Sequence, residues 1–267
     1  LLEEEVRERN LWHLLTDIEM PLIPVLVKMQ RNGVSVDVDY LKTMSLELSE
    51  KIGELEVNIY ELVGHRFNIN SPKQLGDVLF KELALPHAKR TKSGYSTNAS
   101  VLKGLVDVHP IISDILDYRQ ISKLKSTYLD ALPNMVNGQS GRIHTSFRQT
   151  GSITGRVSSN DPNLQNIPVR SDLGGQVRNA FIAEDAPGWL LLAADYSQID
   201  LRILAHISED ENLIDAFHKG EDIHSSTAAQ VYGVDIGDVT DEMRRIAKVI
   251  NFGIVYGVSG YGLASRI

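Results

Sequence analysis

Four side chains in the segment RRIAKVINFGIVYG, residues 244–257, have types and spacing suited to a single ligand. Arg244, Lys248, Phe252 and Tyr256 follow one another at intervals of four, which on an α-helix places them along one inclined face. Counted from Met243 they fall at roughly 100°, 140°, 180° and 220°, away from a stripe of Met243, Ile246, Ala247, Ile250 and Ile254 that reads as core-facing. Two cations one turn apart suit successive phosphates of a triphosphate. Two flat rings continuing the line suit a sugar or base. The other reading packs the rings on a neighbouring lobe and leaves the cations in water. It accounts for two of the four positions, whereas a nucleoside triphosphate laid along the helix accounts for all of them.

Three further places could carry chemistry. Asp195 follows GWLLLAAD, which reads as a short buried strand, and precedes SQIDLRILAHIS, which reads as a helix with Leu201, Leu204 and Ile207 inward. A carboxylate at such a junction is placed to bind a hard divalent cation, or simply to cap the helix, as Ser197 also could. His224, early in the helical pattern IHSSTAAQVYG with Asp222 as its cap, is either an ordinary surface group or a donor to phosphate oxygens. The stretch 150–170 is rich in Ser, Thr, Asn, Gln and Arg and has almost no apolar periodicity. That composition makes loops, and it is also what reads acceptors shared by all base pairs in a minor groove.

These positions need a scaffold, and most of it reads as helix. Residues 3–31 form an acidic helical pattern stopped at Gly33, followed by a short alternation. A long helix then ends at Gly64, with a stripe of Leu41, Met44, Leu48, Ile52, Leu55, Ile59 and Leu62. Ser71 and Pro72 open another helix as N-cap and first residue. Helices are expected near 98–107, 110–130, 210–218, 223–231 and 241–257, an edge strand in GRIHTSFRQTG, and a mobile polar tip over 88–97. The 267 residues, 42% hydrophobic and 23% charged, suffice for one large or two modest domains. Without cysteine there is no disulfide framework or thiolate metal site, and a reducing, cytoplasmic setting is expected. No apolar run approaches about 18 residues, so no membrane span is expected. The net charge of −8 disfavours a nucleic-acid partner as a whole-chain sum, yet residues 118–178 hold eight Lys or Arg against three Asp, a local excess of +5.

With those residues assembled, the chain resembles the family A DNA polymerases, the bacterial DNA polymerase I family. DYSQIDLRILAH resembles the family's first palm motif, RRIAKVINFGIVYG its fingers helix, and TGRVSSNDPNLQNIPVR its primer-template motif; SKLKSTYLDALP and DIEMPLIPVLVKMQRNGV also match. The resemblance implies an α+β, mostly helical fold: a truncated right-hand polymerase with thumb helices, a partial antiparallel palm sheet and the start of helical fingers. It divides the chain into 1–40, the start of the palm and a connection to an exonuclease domain; 41–128, thumb; 129–209, the first half of the palm; and 210–267, the start of the fingers. The implied activity is template-directed DNA synthesis in replication and repair, adding deoxynucleoside triphosphates to a primer 3′ end by two-metal phosphoryl transfer.

By position, the resemblance makes Asp195 and the backbone carbonyl of Tyr196 ligands of Mg2+. Arg244 and His224 would hold the outer phosphates, and Lys248 would neutralise or protonate the leaving pyrophosphate. Phe252 would lie against the sugar, Tyr256 near the templating position, and Gln198, Asp200 and Arg170 beside the nucleotide. Thr154, Arg156, Gln165, Asn166, Lys123 and Lys125 would touch primer-template DNA. A monomer is expected. Asp200 stands where the family usually has Glu, the side chain that screens out a 2′ hydroxyl, so weaker rejection of ribonucleotides is expected. Phe252 rather than Tyr implies discrimination against dideoxynucleotides. Nothing resembles the family's second catalytic carboxylate segment, a His-Asp-Glu turn, and the chain alone is expected to have little or no polymerase activity. The rivals are a non-catalytic fragment that holds primer-template or nucleotide and needs a second chain, and a helical interaction scaffold.

Overall fold

The longest element, the helix Val38–Val63, begins where the Asp37 side chain accepts the Tyr40 amide and ends at Gly64, whose φ of 86° closes the last turn. The computed structural model to which it belongs describes residues 2–86, 90–91, 94–169, 171–183 and 188–264. Leu41, Met44, Leu48, Leu55 and Ile59 of the expected stripe are buried, while Ile52 is half-buried and Leu62 exposed. This face packs against the helix Ile111–Leu124, which buries Ile111, Ile112, Ile115, Tyr118, Ile121 and Leu124. Removing that much apolar surface from water, at about 25 cal/mol per Å2, is what holds the two helices together.

The chain forms two compact units, Leu1–Leu191 and Leu192–Ile267. In the first, the strand Val34–Val36 lies between Arg142–Ile143 and Phe181–Ile182, antiparallel to both, with Val34 opposite Ile143 and Val36 opposite Phe181. The expected edge strand is thus two pieces, since Ser146–Arg148 pairs separately with Ser158–Asn160. The expected helix over 3–31 is broken into Leu2–Glu8, a wider turn at Leu14–Glu19, and Met20–Asn32. Gly33, at φ 61° and ψ −169°, ends it in a conformation open essentially only to glycine. Of the expected polar tip, residues 88–89 and 92–93 lie outside the described residues; Arg90–Thr91 and Gly94–Tyr95 form a two-stranded ladder.

The second unit is helical: Ile199–Ser208, Glu211–His218, Ile223–Tyr232 and Asp241–Val255. Two sequence expectations are corrected here. Residues 189–196 are not a buried strand but an exposed irregular segment, with Trp189 61%, Leu190 88% and Leu192 91% exposed. A strand needs a neighbour for its N–H and C=O groups, and among the described residues none pairs with it. Ile207 is 74% exposed, whereas Leu201 and Ala205 are buried. Those two point the same way, and Ile207 lies about 120° from Leu201.

Candidate active site

The helix Asp241–Val255 starts with Thr240 accepting the Met243 amide and packs chiefly on Ile223–Tyr232, itself capped by Asp222 through the Ser225 amide. Its buried seam is not the stripe read from the sequence. Ala247 is fully buried, Met243, Ile246 and Ile250 are half-buried, and Ile254 is 69% exposed. The contacts run instead along Arg244, Ala247, Asn251 and Val255, about 80° round the helix from that stripe. The reason is polar. Arg244 grips Asp222 through two bonds, Nε to Oδ1 at 3.1 Å and Nη2 to Oδ2 at 2.8 Å. Asn251 bonds His224 and Thr227 on the facing helix. These pairs hold the Arg244 and Asn251 face of the helix against Ile223–Tyr232 and leave Ile254 in water.

Lys248, Phe252 and Tyr256 therefore continue from Arg244 along a face that flanks the packing seam. Lys248 is exposed, with no ion pair among the described residues. Phe252 rests on His224 with ring centres 5.7 Å apart and stacks on Tyr256 at 6.3 Å, the planes inclined by 14°. Tyr256 is 60% exposed and donates to Asp200 Oδ2 at 2.8 Å. The Asp222 carboxyl feels two opposed effects: burial pushes its pKa up, but the bonds from Arg244 and Ser225 outweigh this and hold it at about 2.

His224 is neither a surface group nor open to a phosphate in this conformation, being 2% exposed beneath Phe252. Burial lowers its pKa, Asp222 opposes this, and Arg244 and Lys248 reinforce it, so the ring is neutral near pH 7. Gln198 sits at φ 53° ahead of the helix Ile199–Ser208. Its Nε2 lies 3.5 Å from Asp222 Oδ2, and its Oε1 is buried without a partner.

Asp195 and Tyr196 lie in the exposed segment before Gln198. The capping alternative fails for Asp195 and Ser197, because the residue that starts the helix is Gln198, with no side-chain cap. Asp195 has no hydrogen-bond or ionic partner among the described residues, and among those residues no three His, Asp or Glu gather as a metal site. Magnesium commonly takes one or two carboxylates and completes its shell with water and substrate phosphates. Asp195 supplies one such carboxylate, which by itself leaves the donor set incomplete.

In the first unit the stretch 150–170 is partly ordered by its own side chains. Thr145 Oγ1 donates to the carbonyls of Asn160 or Pro162 and meets Ser159 Oγ at 2.6 Å, both residues being buried. Gln165 is spent on this scaffold: its Nε2 donates to the Val157 carbonyl at 2.8 Å and its Oε1 accepts the Ser159 amide. Thr154 bonds Ser152, and Arg156 is exposed. Lys125 is tied to Asp130 at 2.8 Å. Lys123 is exposed and, with Asn163 and Asn166, lines an open groove of about 1030 Å3 floored by Leu124 and Tyr128. Arg170 lies outside the described residues.

The sequence reading missed Asp222 as the partner of Arg244, and Asn251. The signal for Asn251 was an amide seven residues beyond Arg244, on a face otherwise carrying Ala247 and Val255.

The class of this mostly helical fold, with its small antiparallel sheets and capped cationic helix, comes from its likeness to known proteins. The family model for DNA polymerase family A matches residues 38–267, and the chain belongs to that family. It is 57% identical over 254 residues to DNA polymerase I of Caldicellulosiruptor bescii, covering 95% of this chain and 30% of that protein. To the thermostable DNA polymerase I of Thermus aquaticus it is 53% identical over 265 residues, covering 98% of this chain and 32% of the relative. The chain thus spans about a third of the length of these relatives. Among solved structures, the POL domain of Pol1 from M. smegmatis, in complex with DNA primer-template and dNTP, matches with a TM-score of 0.90 at 41% identity. That match covers 99% of this chain and 47% of the other.

Proposed function

We propose that this chain is the N-terminal part of a DNA polymerase I polymerase region, serving template-directed DNA synthesis from deoxynucleoside triphosphates in the bacterial cytoplasm. The observation that carries the reading is the ridge of Arg244, Lys248, Phe252 and Tyr256 on one face of a capped helix, in a chain whose solved relative was captured with primer-template and dNTP. Residues 1–40 begin the palm, 41–128 are thumb, 129–209 the first half of the palm and 210–267 the start of the fingers.

Arg244 and Lys248 hold the phosphates, and Lys248, exposed and without an ion pair among the described residues, neutralises charge on the leaving pyrophosphate. Phe252 and Tyr256 support sugar and base, with Gln198 and Asp200 beside them. His224 donates to a phosphate oxygen once the Phe252 side chain swings off its ring, the helix that carries it staying in place. Lys123 and Asn166 line the groove that takes the DNA backbone; Arg156 and Thr154 touch the duplex, and Gln165 shapes the loop that presents them. Asp195 and the Tyr196 carbonyl would hold a magnesium ion, which would supply Lewis-acid stabilisation of phosphoryl oxygens. Among the described residues no helix is long and apolar enough to cross a membrane.

A second reading, binding of primer-template and nucleotide without chemistry, is favoured by the incomplete magnesium donor set. Two assays on the 267-residue chain separate the readings. Anisotropy of a labelled primer-template should show binding that weakens steeply with salt, because phosphate contacts release counterions. Salt-independent or absent binding would leave only a scaffold. Primer extension with magnesium then divides synthesis from binding alone.

A further inference from the structure

Asn251 has no assigned part in nucleotide handling, yet its amide meets two side chains of the facing helix. Its Nδ2 lies 3.1 Å from His224 Nδ1 and 3.1 Å from Thr227 Oγ1, and Thr227 Oγ1 lies 3.3 Å from its Oδ1. An amide nitrogen carries two hydrogens and only donates. With the amide in this orientation the two contacts use both hydrogens, which makes His224 Nδ1 the acceptor and leaves the ring proton on Nε2. Nε2 has no partner among the described residues.

We propose that Asn251 is a positioning residue: by donating to His224 Nδ1 it fixes the tautomer whose Nε2–H can donate to a triphosphate oxygen. The use of that donor rests on the nucleotide reading above; the tautomer itself does not. The distinction matters because the ring is neutral. Asp222, at the start of its own helix, and Arg244 and Lys248, from the packed helix, are the charges that face it. A protonated histidine would donate from both nitrogens whatever Asn251 did. A neutral one presents either a donor or a bare lone pair, and a bare nitrogen repels phosphate.

The test uses the whole chain with 15N-labelled histidine, read by long-range 1H–15N correlation at pH 8, with His224→Gln assigning the signal. The wild type should show a protonated Nε2 and a bare Nδ1. Asn251→Asp, whose carboxylate only accepts, should move the proton to Nδ1 and weaken dTTP binding about tenfold, the loss of one bond to a charged group, while leaving primer-template affinity unchanged. Asn251→Ala, should the acidic variant not fold, should give a mixture of tautomers. A wild-type proton on Nδ1, or a tautomer unmoved by either variant, overturns the proposal. The expected tautomer with no response of His224 to dTTP supports the assignment and sinks the nucleotide reading instead.

Discussion

Replacing Asp222 by Asn removes a charge while keeping a good helix cap, since Asn accepts an N-terminal amide as well as Asp does. The variant therefore isolates the Arg244 pair from the start of the helix Ile223–Tyr232. In the folded protein the Asp222 carboxyl titrates at about 2 against an ordinary 3.8, equivalent by linkage to an upper figure of about 2.5 kcal/mol. The Arg244 and Asp222 side chains are 42% and 35% exposed, and solvent screening brings that to about 1 kcal/mol. A depressed carboxylate stabilises above its unfolded pKa and loses that contribution as pH falls through the folded one. Urea titrations should accordingly find Asp222→Asn about 1 kcal/mol less stable at pH 7, with the gap narrowing below pH 3.8 towards 2. Freed from its partner, Arg244 should also bind dTTP up to about fivefold more tightly, the equivalent of the same 1 kcal/mol. No stability gap at pH 7, or one undiminished at pH 3, would refute the assignment of this energy to the ion pair.

Gly33→Ala should destabilise the first unit by about 3 kcal/mol, because a Cβ there would meet the Ile143 carbonyl at 2.6 Å in a backbone conformation that side chains avoid; thermal unfolding checks this. In a longer form that extends primers, Asp200→Glu should raise discrimination against ribonucleotides, and unchanged incorporation ratios would refute a role for the shorter side chain. In the same form Phe252→Tyr should improve dideoxynucleotide incorporation, read from chain-termination ladders.

How far the sequence could be read depended on whether apolar spacing alone decided the outcome. Leu41 to Ile59 were legible because one helix face meets one core, and Ser71 and Asp222 because a cap is a local bond within three residues. The exposed run Trp189–Leu192 was misread since apolar composition signals burial only where a partner strand exists. The rotation of the helix Asp241–Val255 was illegible for a different reason. It is set by the Arg244–Asp222 and Asn251–His224 pairs, between residues 22 and 27 positions apart, which no helical period encodes. His224 read as either a surface group or a phosphate donor on the same account: the residues against its ring, Phe252 and Asn251, lie on another helix. Of the candidate site, the four-residue spacing of the ridge was legible and its partners were not.

The central claim is that one face of this helix holds a nucleoside triphosphate. Calorimetric titration of dTTP with magnesium into the primer-template complex of the wild type, Lys248→Ala and Arg245→Ala tests it most directly. Arg245 is an exposed cation on the same helix, committed to Glu242 at 2.6 Å, and so controls for charge without position. Binding should weaken at least about tenfold in Lys248→Ala, the loss of one charge-assisted phosphate contact, and stay unchanged in Arg245→Ala. Equal losses in the two variants, or none in either, would contradict the claim.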